Sequence, residues 1–260
     1  LRFLLAHHPS AYGVDRTPGA NPIRQRLGNL REAGSLYGPI IYQKAPIVMA
    51  HLERAVGPDA FREGLRRYLG RHAFGNATWG DLVEVLDALH PDDLGAWSRV
   101  WVEEPGRPSI QVVWEASEGE RGDLVLRQTD DWGRDRSWPQ RLTVRAEWDG
   151  RSEWTTVEFD GTDARVVAWE GVPRPESVIP NAAGIEYGLF HLEASWVDRL
   201  ATGLAEVEPA LLRGSAILLL HDALLEERIE PERLLNALLD ALAVEDDELL
   251  ADEMEIGRAH

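Results

Sequence analysis

The sequence predicts an α+β protein in three parts, and two changes of apolar period mark them. From Leu36 to Trp101 the apolar residues recur at helical spacing. From Ile110 they alternate with period two, as strands do, and beyond Tyr187 the helical spacing returns. We therefore expect a largely helical part over residues 1–104, with its helices from Leu36 on, an antiparallel β-sandwich over 105–183 and the start of an α-helical domain over 184–260.

The first stretch, Leu1 to Ser35, holds the turn formers Pro9-Ser10, Pro18-Gly19 and Asn21-Pro22 and reads as largely irregular. Ile41, Ala45, Val48, Met49 and Leu52 then form one helical face, which Gly57-Pro58 ends. Pro58 suits the first position of the next helix, whose stripe is Phe61, Leu65 and Leu69. Thr78-Trp79-Gly80-Asp81 has the form of a capping box ahead of Leu82, Val85, Leu86 and Leu89. Pro91 is expected to open a helix through Leu94, Trp97, Val100 and Trp101, and Pro105-Gly106-Arg107-Pro108 closes the helical part.

In the sandwich, Ile110, Val112 and Trp114 alternate, as do Leu124 with Leu126 and Leu142 with Val144, Ala146 and Trp148. Asp149-Gly150 and Asp160-Gly161 are hairpin signals, and Val166, Val167 and Trp169 are expected to complete the strands. In the last part, Leu200, Leu204, Leu211 and Leu212 lead into Ala216 to Leu225, and Pro231 starts a helix with Leu234, Leu235, Leu238 and Leu239. The acid-rich end reads as solvated helix faces, with Met254 to His260 frayed.

The 45 acidic and 27 basic residues give a formal charge of −18, so neither nucleic acid nor an anionic membrane surface is an expected partner. No apolar run approaches the ~18 residues of a spanning helix. Without cysteine there is no disulfide, thiolate metal site or cysteine nucleophile. No signal peptide is visible over Leu1 to His8, and because the chain opens on leucine it reads as a piece of a longer protein, expected to be cytoplasmic.

No histidine pair has the H-E-x-x-H spacing that places two imidazoles and a general base on one helix face, so no metal ligand is expected within the chain. A phosphate loop and a G-x-S-x-G elbow are also missing. Two features remain. The 27 basic residues include a single lysine, Lys44, which either survives by chance or marks a position that needs an ammonium rather than a guanidinium. Tyr37 and Tyr42 flank Gly38-Pro39 where a helix begins, so a phenol there serves either as a hydrogen-bond donor into a cleft or as a core anchor.

Tyr42-Gln43-Lys44-Ala45 resembles the Y-x-K-G element of the zinc aminopeptidases related to aminopeptidase N and leukotriene hydrolase. In the same order, Asp15 with Pro22-Ile23, Phe61 to Leu69, Phe74 to Thr78 with Asp81-Leu82, and Trp101 with Gly106-Arg107-Pro108 resemble that family over Asp15 to Val113. The resemblance implies that residues 1–104 are the C-terminal helical part of a thermolysin-like catalytic domain. It implies that Tyr42 is catalytic and donates to the oxyanion, that Tyr37 lines the substrate cleft and that Lys44 supports them. Alanine replaces the family's glycine at Ala45, followed by Pro46. The zinc ligands and the grip on the substrate's amino group lie upstream in the family. The chain is thus expected to be the C-terminal portion of a zinc aminopeptidase acting on peptides, inactive and zinc-free without its N-terminal catalytic half. The alternatives are a non-catalytic scaffold of the same descent and an unrelated acidic adaptor.

Overall fold

A computed structural model describes residues 1–25, 28, 38–117 and 119–257. The helical part begins with α1 (Arg2–Asp15), which replaces the irregular segment expected there. Pro9 lies inside it, and long-range burial of Leu4, His8, Ala11, Tyr12 and Asp15 holds the helix despite the missing donor. A five-residue π-helical turn, Ile40–Lys44, runs directly into α2 (Ala45–Val56). Pro46 explains the turn. A proline inside a continuous helix leaves the carbonyl four residues back without its donor and crowds it, and one widened turn relieves both effects. The Ala45 amide accordingly reaches back five residues to the Ile40 carbonyl.

Next come α3 (Pro58–Arg71), α4 (Trp79–Asp87) and α5 (Leu94–Ser98). The capping box forms: Thr78 accepts from the Asp81 amide while the Asp81 carboxylate accepts from the Thr78 amide. α3 approaches α4 at Gly64, where a Cβ would sit 2.3 Å from Leu86 Cδ2, while the expected stripe residue Leu69 is exposed. The helix expected from Pro91 starts at Leu94 instead, because Asp93 caps it through the Ala96 amide. A second π-helical turn, Arg99–Glu103, follows.

Two sheets form the sandwich. One has the order β5–β2–β1–β8, with β6 also on β2; the other is β4–β3–β7. The strands are β1 (Ser109–Ala116), β2 (Arg121–Thr129), β3 (Gln140–Trp148), β4 (Arg151–Phe159), β5 (Asp163–Arg165), β6 (Val172–Pro173), β7 (Ser177–Ile179) and β8 (Leu189–His191). Asp149 at φ 43° and Gly150 at φ 73° make the β3–β4 hairpin, as two-residue hairpins with left-handed centres do.

Three expectations are corrected here. Asp160-Gly161 is not a hairpin: the chain crosses to the other sheet, where β5 pairs with β2. Val167–Trp169 is a short 3-10 helix that buries Trp169. The sandwich is mixed, not purely antiparallel, because β8 runs parallel to β1.

α6 (Ala194–Thr202), α7 (Ala210–Leu225), α8 (Pro231–Leu242) and α9 (Glu248–Gly257) complete the chain. Met254, expected to fray, is buried in α9. The inner faces of the sheets and α6 to α9 share one apolar core, and residues from α1 to the second π-helical turn form another. Trp138 and Tyr187 come from the sandwich but are buried in the helical core, so the two parts interlock.

Candidate functional site

The π-helical turn presents two side chains to opposite environments. Tyr42 is 55% exposed, whereas Lys44, two residues on, is 1% exposed. An ammonium can be this deeply buried only if its donors are paired. Lys44 Nζ lies 2.7 Å from Asp15 Oδ2 and donates to the Gly106 carbonyl at 2.6 Å. It also sits 5.5 Å from the centre of the Tyr187 ring. The Tyr187 hydroxyl donates to the same Asp15 Oδ2 at 2.9 Å, while Asp15 Oδ1 is buried without a partner among the described residues.

Sequence-distant segments therefore meet at one ammonium: α1 supplies Asp15, the linker before β1 supplies Gly106, and the segment before β8 supplies Tyr187. Gly106 has φ +100°, where an L side chain is strained, and a Cβ there would sit 3.1 Å from Arg136 Nη2. Arg136 holds the linker from the far side. It pairs with Asp130 at 2.5 Å and Glu104 at 3.0 Å, and donates to the Pro105 carbonyl.

Burial lowers the Lys44 pKa, opposed by the Asp15 charge. Burial and the Asp15 carboxylate together push the Tyr187 phenol well above its usual range, so it stays a donor. Beside this cluster, Arg107 lies 4.2 Å over the Tyr12 ring, and Arg107 and Arg16 both pair with the buried Asp222 of α7.

Of the three residues singled out from sequence, the structure places Tyr42 at the surface and Lys44 beneath it. Tyr37 lies outside the described residues. Asp15 entered only as part of the D…P-I approach, Gly106 only within the Gly106-Arg107-Pro108 exit from the helical part, and Tyr187 only as the point where helical spacing returns; a lone buried lysine requires a carboxylate, but its spacing does not say which one.

Among the described residues no group of three or more histidine, aspartate or glutamate side chains is placed to hold a metal ion. The two best-buried histidines do structural work. His8 Nε2 bonds the Glu186 carbonyl at 3.1 Å, and His51 Nε2 bonds the Ile185 carbonyl at 2.5 Å. Burial pushes His8 down to about 3 and His51 down to about 4. Both are neutral in the folded protein at pH 5 to 6.5, while the unfolded chain takes up protons there. Stability is therefore full above pH 6.5 and falls toward pH 4, by up to about 1.4 kcal/mol per pH unit for each histidine. Thermal unfolding measured at pH 7, 6 and 5 checks this; a flat profile would contradict it.

Residues 2–101 match the peptidase family M1 domain. The chain is 27% identical over 219 residues to aminopeptidase N of Streptomyces lividans, covering 78% of this chain and 25% of that protein. It is 28% identical over 162 residues to aminopeptidase N of Lactobacillus helveticus, covering 61% of this chain and 19% of that protein. Tricorn protease-interacting factor F2 of Thermoplasma volcanium is 26% identical over 144 residues, which is 55% of this chain and 18% of that protein. The chain thus spans a quarter or less of the length of these relatives. With a family M1 domain in its helical part and aminopeptidase N relatives along most of its length, the chain is related to the M1 zinc aminopeptidases.

Proposed function

We propose that this chain is the C-terminal portion of a zinc-dependent aminopeptidase that removes N-terminal residues from peptides, with Tyr42 as its contribution to catalysis. The observation that carries the reading is the exposed Tyr42 phenol, set on a π-helical turn whose next-but-one residue, Lys44, is buried and paired. π-helical turns inside helices frequently accompany functional sites. When water adds to a peptide carbonyl, the oxygen gains a full negative charge. A phenol O–H aimed at that oxygen stabilises the tetrahedral species more than the neutral substrate. Zinc ligands are assigned to residues outside this chain, so Tyr42 contributes hydrogen-bond donation alone. Tyr37, five residues earlier, is proposed to line the same cleft.

The test compares the intact polypeptide with residues 1–260. The intact protein should carry an upstream H-E-x-x-H and cleave an aminoacyl-p-nitroanilide, losing that activity to a chelator. Residues 1–260 alone should show no cleavage and no stoichiometric zinc. An intact protein with neither the motif nor cleavage would overturn the reading in favour of a scaffold.

A further inference from the structure

We infer that Asp15, Lys44, Tyr187 and the Gly106 carbonyl form a positioning bracket for Tyr42, which makes the β-sandwich part of what aims the phenol. The catalytic consequence rests on the reading of Tyr42 just proposed; the bracket itself stands on geometry.

Stability alone is a weak reason for an ion pair at this place. Burying an ammonium and a carboxylate strips both ions of their hydration, and well-packed apolar residues often do as well or better. A charged bracket does offer selectivity of position. An apolar side chain can pack in several registers, whereas the Lys44 ammonium has its partners in one: Asp15 Oδ2 at 2.7 Å and the Gly106 carbonyl at 2.6 Å. The turn it fixes is a π-helical one, a rare geometry seldom stable by itself. A slip of one residue along a helix moves a side chain by about 1.5 Å and 100°. Misplacement by 1 Å can cost an active site ~10² in rate.

The bracket also joins the folding units. Asp15 lies on α1, and its Oδ2 is shared by Lys44 and by Tyr187 of the sandwich part. The Tyr187 ring is locked in the helical core, with ring centres 4.9 Å from Tyr12 and 6.4 Å from Trp101. A shift of the sandwich against the helices would pull on Asp15, and through Asp15 on the turn that carries Tyr42.

Two variants test the bracket: Tyr187→Phe, which deletes one hydroxyl, and the charge-free double variant Lys44→Met/Asp15→Asn, which strands no ion. The protein is labelled with 3-fluorotyrosine, and the Tyr42 resonance among the five tyrosines is assigned by its loss in Tyr42→Phe. Both variants should unfold cooperatively yet shift or broaden that resonance. Exchange of the Tyr42 and Ala45 amides, which bond the Gly38 and Ile40 carbonyls, should quicken about tenfold or more while that of α8 amides does not, as local opening requires. In the intact enzyme kcat should fall about tenfold or more at unchanged KM. An unmoved Tyr42 resonance with unchanged exchange in either folded variant overturns the bracket. If the resonance moves but Tyr42→Phe leaves kcat of the intact enzyme intact, the bracket stands and the assignment of Tyr42 as oxyanion donor fails.

Discussion

Replacing Tyr42 by phenylalanine in the intact enzyme should lower kcat by ~10²–10³ and leave KM nearly unchanged. The substrate carbonyl is neutral and asks little of a phenol, whereas the tetrahedral intermediate presents an oxyanion. An interaction made mainly in the transition state lowers kcat and kcat/KM together when it is removed. The ring remains, and the residue is 55% exposed, so the melting temperature should hardly move. A tyrosine that only anchored the helix would behave in the opposite way, losing about 1–3 kcal/mol of stability through an unmade buried hydrogen bond while each folded molecule kept its activity. Kinetics and thermal unfolding on one preparation separate the two outcomes.

Lys44→Met should be the most damaging single substitution for stability in the helical part. It removes the ammonium and leaves the Asp15 carboxylate, whose side chain is fully buried, without its counter-charge. Breaking a buried pair in this way typically costs about 3–5 kcal/mol. The Tyr187 hydroxyl still reaches Asp15, but one neutral donor does not replace a charge. Adding Asp15→Asn to the variant should recover most of the loss, because no ion is then stranded. A double-mutant cycle in denaturant therefore yields a large coupling between the two sites, and additive losses would contradict the account. Lys44→Arg is not a conservative remedy: a forked guanidinium needs more room than a site closed around a single ammonium provides.

Features with a local cause could be read from the sequence. The Thr78–Asp81 capping box, the Asp149-Gly150 hairpin and the alternation of β3 are set by neighbours within a few residues, and the structure has all three. What depends on distant partners was hidden. α1 looks irregular because Pro9 and its polar residues break the apolar period; it is helical because His8, Tyr12 and Asp15 find partners near residues 186–188. The Asp160-Gly161 dipeptide is chemically a turn, yet nothing within it says whether the next strand returns to the same sheet or crosses to the other. Met254 looked frayed because Met254 to His260 show no periodic apolar face, but its own side chain is buried in the core of the last helices.

The candidate site divides in the same way. Tyr42 was legible through the resemblance of its surroundings, and Lys44 drew attention as the single lysine among 27 basic residues. The partners that explain Lys44 stand far off in the chain: Gly106 is 62 residues away, and Tyr187 meets Asp15 across 172 residues. Contacts of that range leave no period or spacing in the sequence. They emerge only once the linker and the segment before β8 are laid against α1.

The inhibition constant of a peptide phosphinate, whose tetrahedral oxyanion imitates the intermediate, tests the central claim most directly when measured on the intact enzyme and on its Tyr42→Phe variant. If Tyr42 donates to the oxyanion, the constant should rise by the same ~10²–10³ by which kcat/KM falls, because a transition-state analogue loses whatever the transition state loses. A phosphinate that binds both proteins equally well, while kcat/KM differs or not, would contradict the assignment of Tyr42.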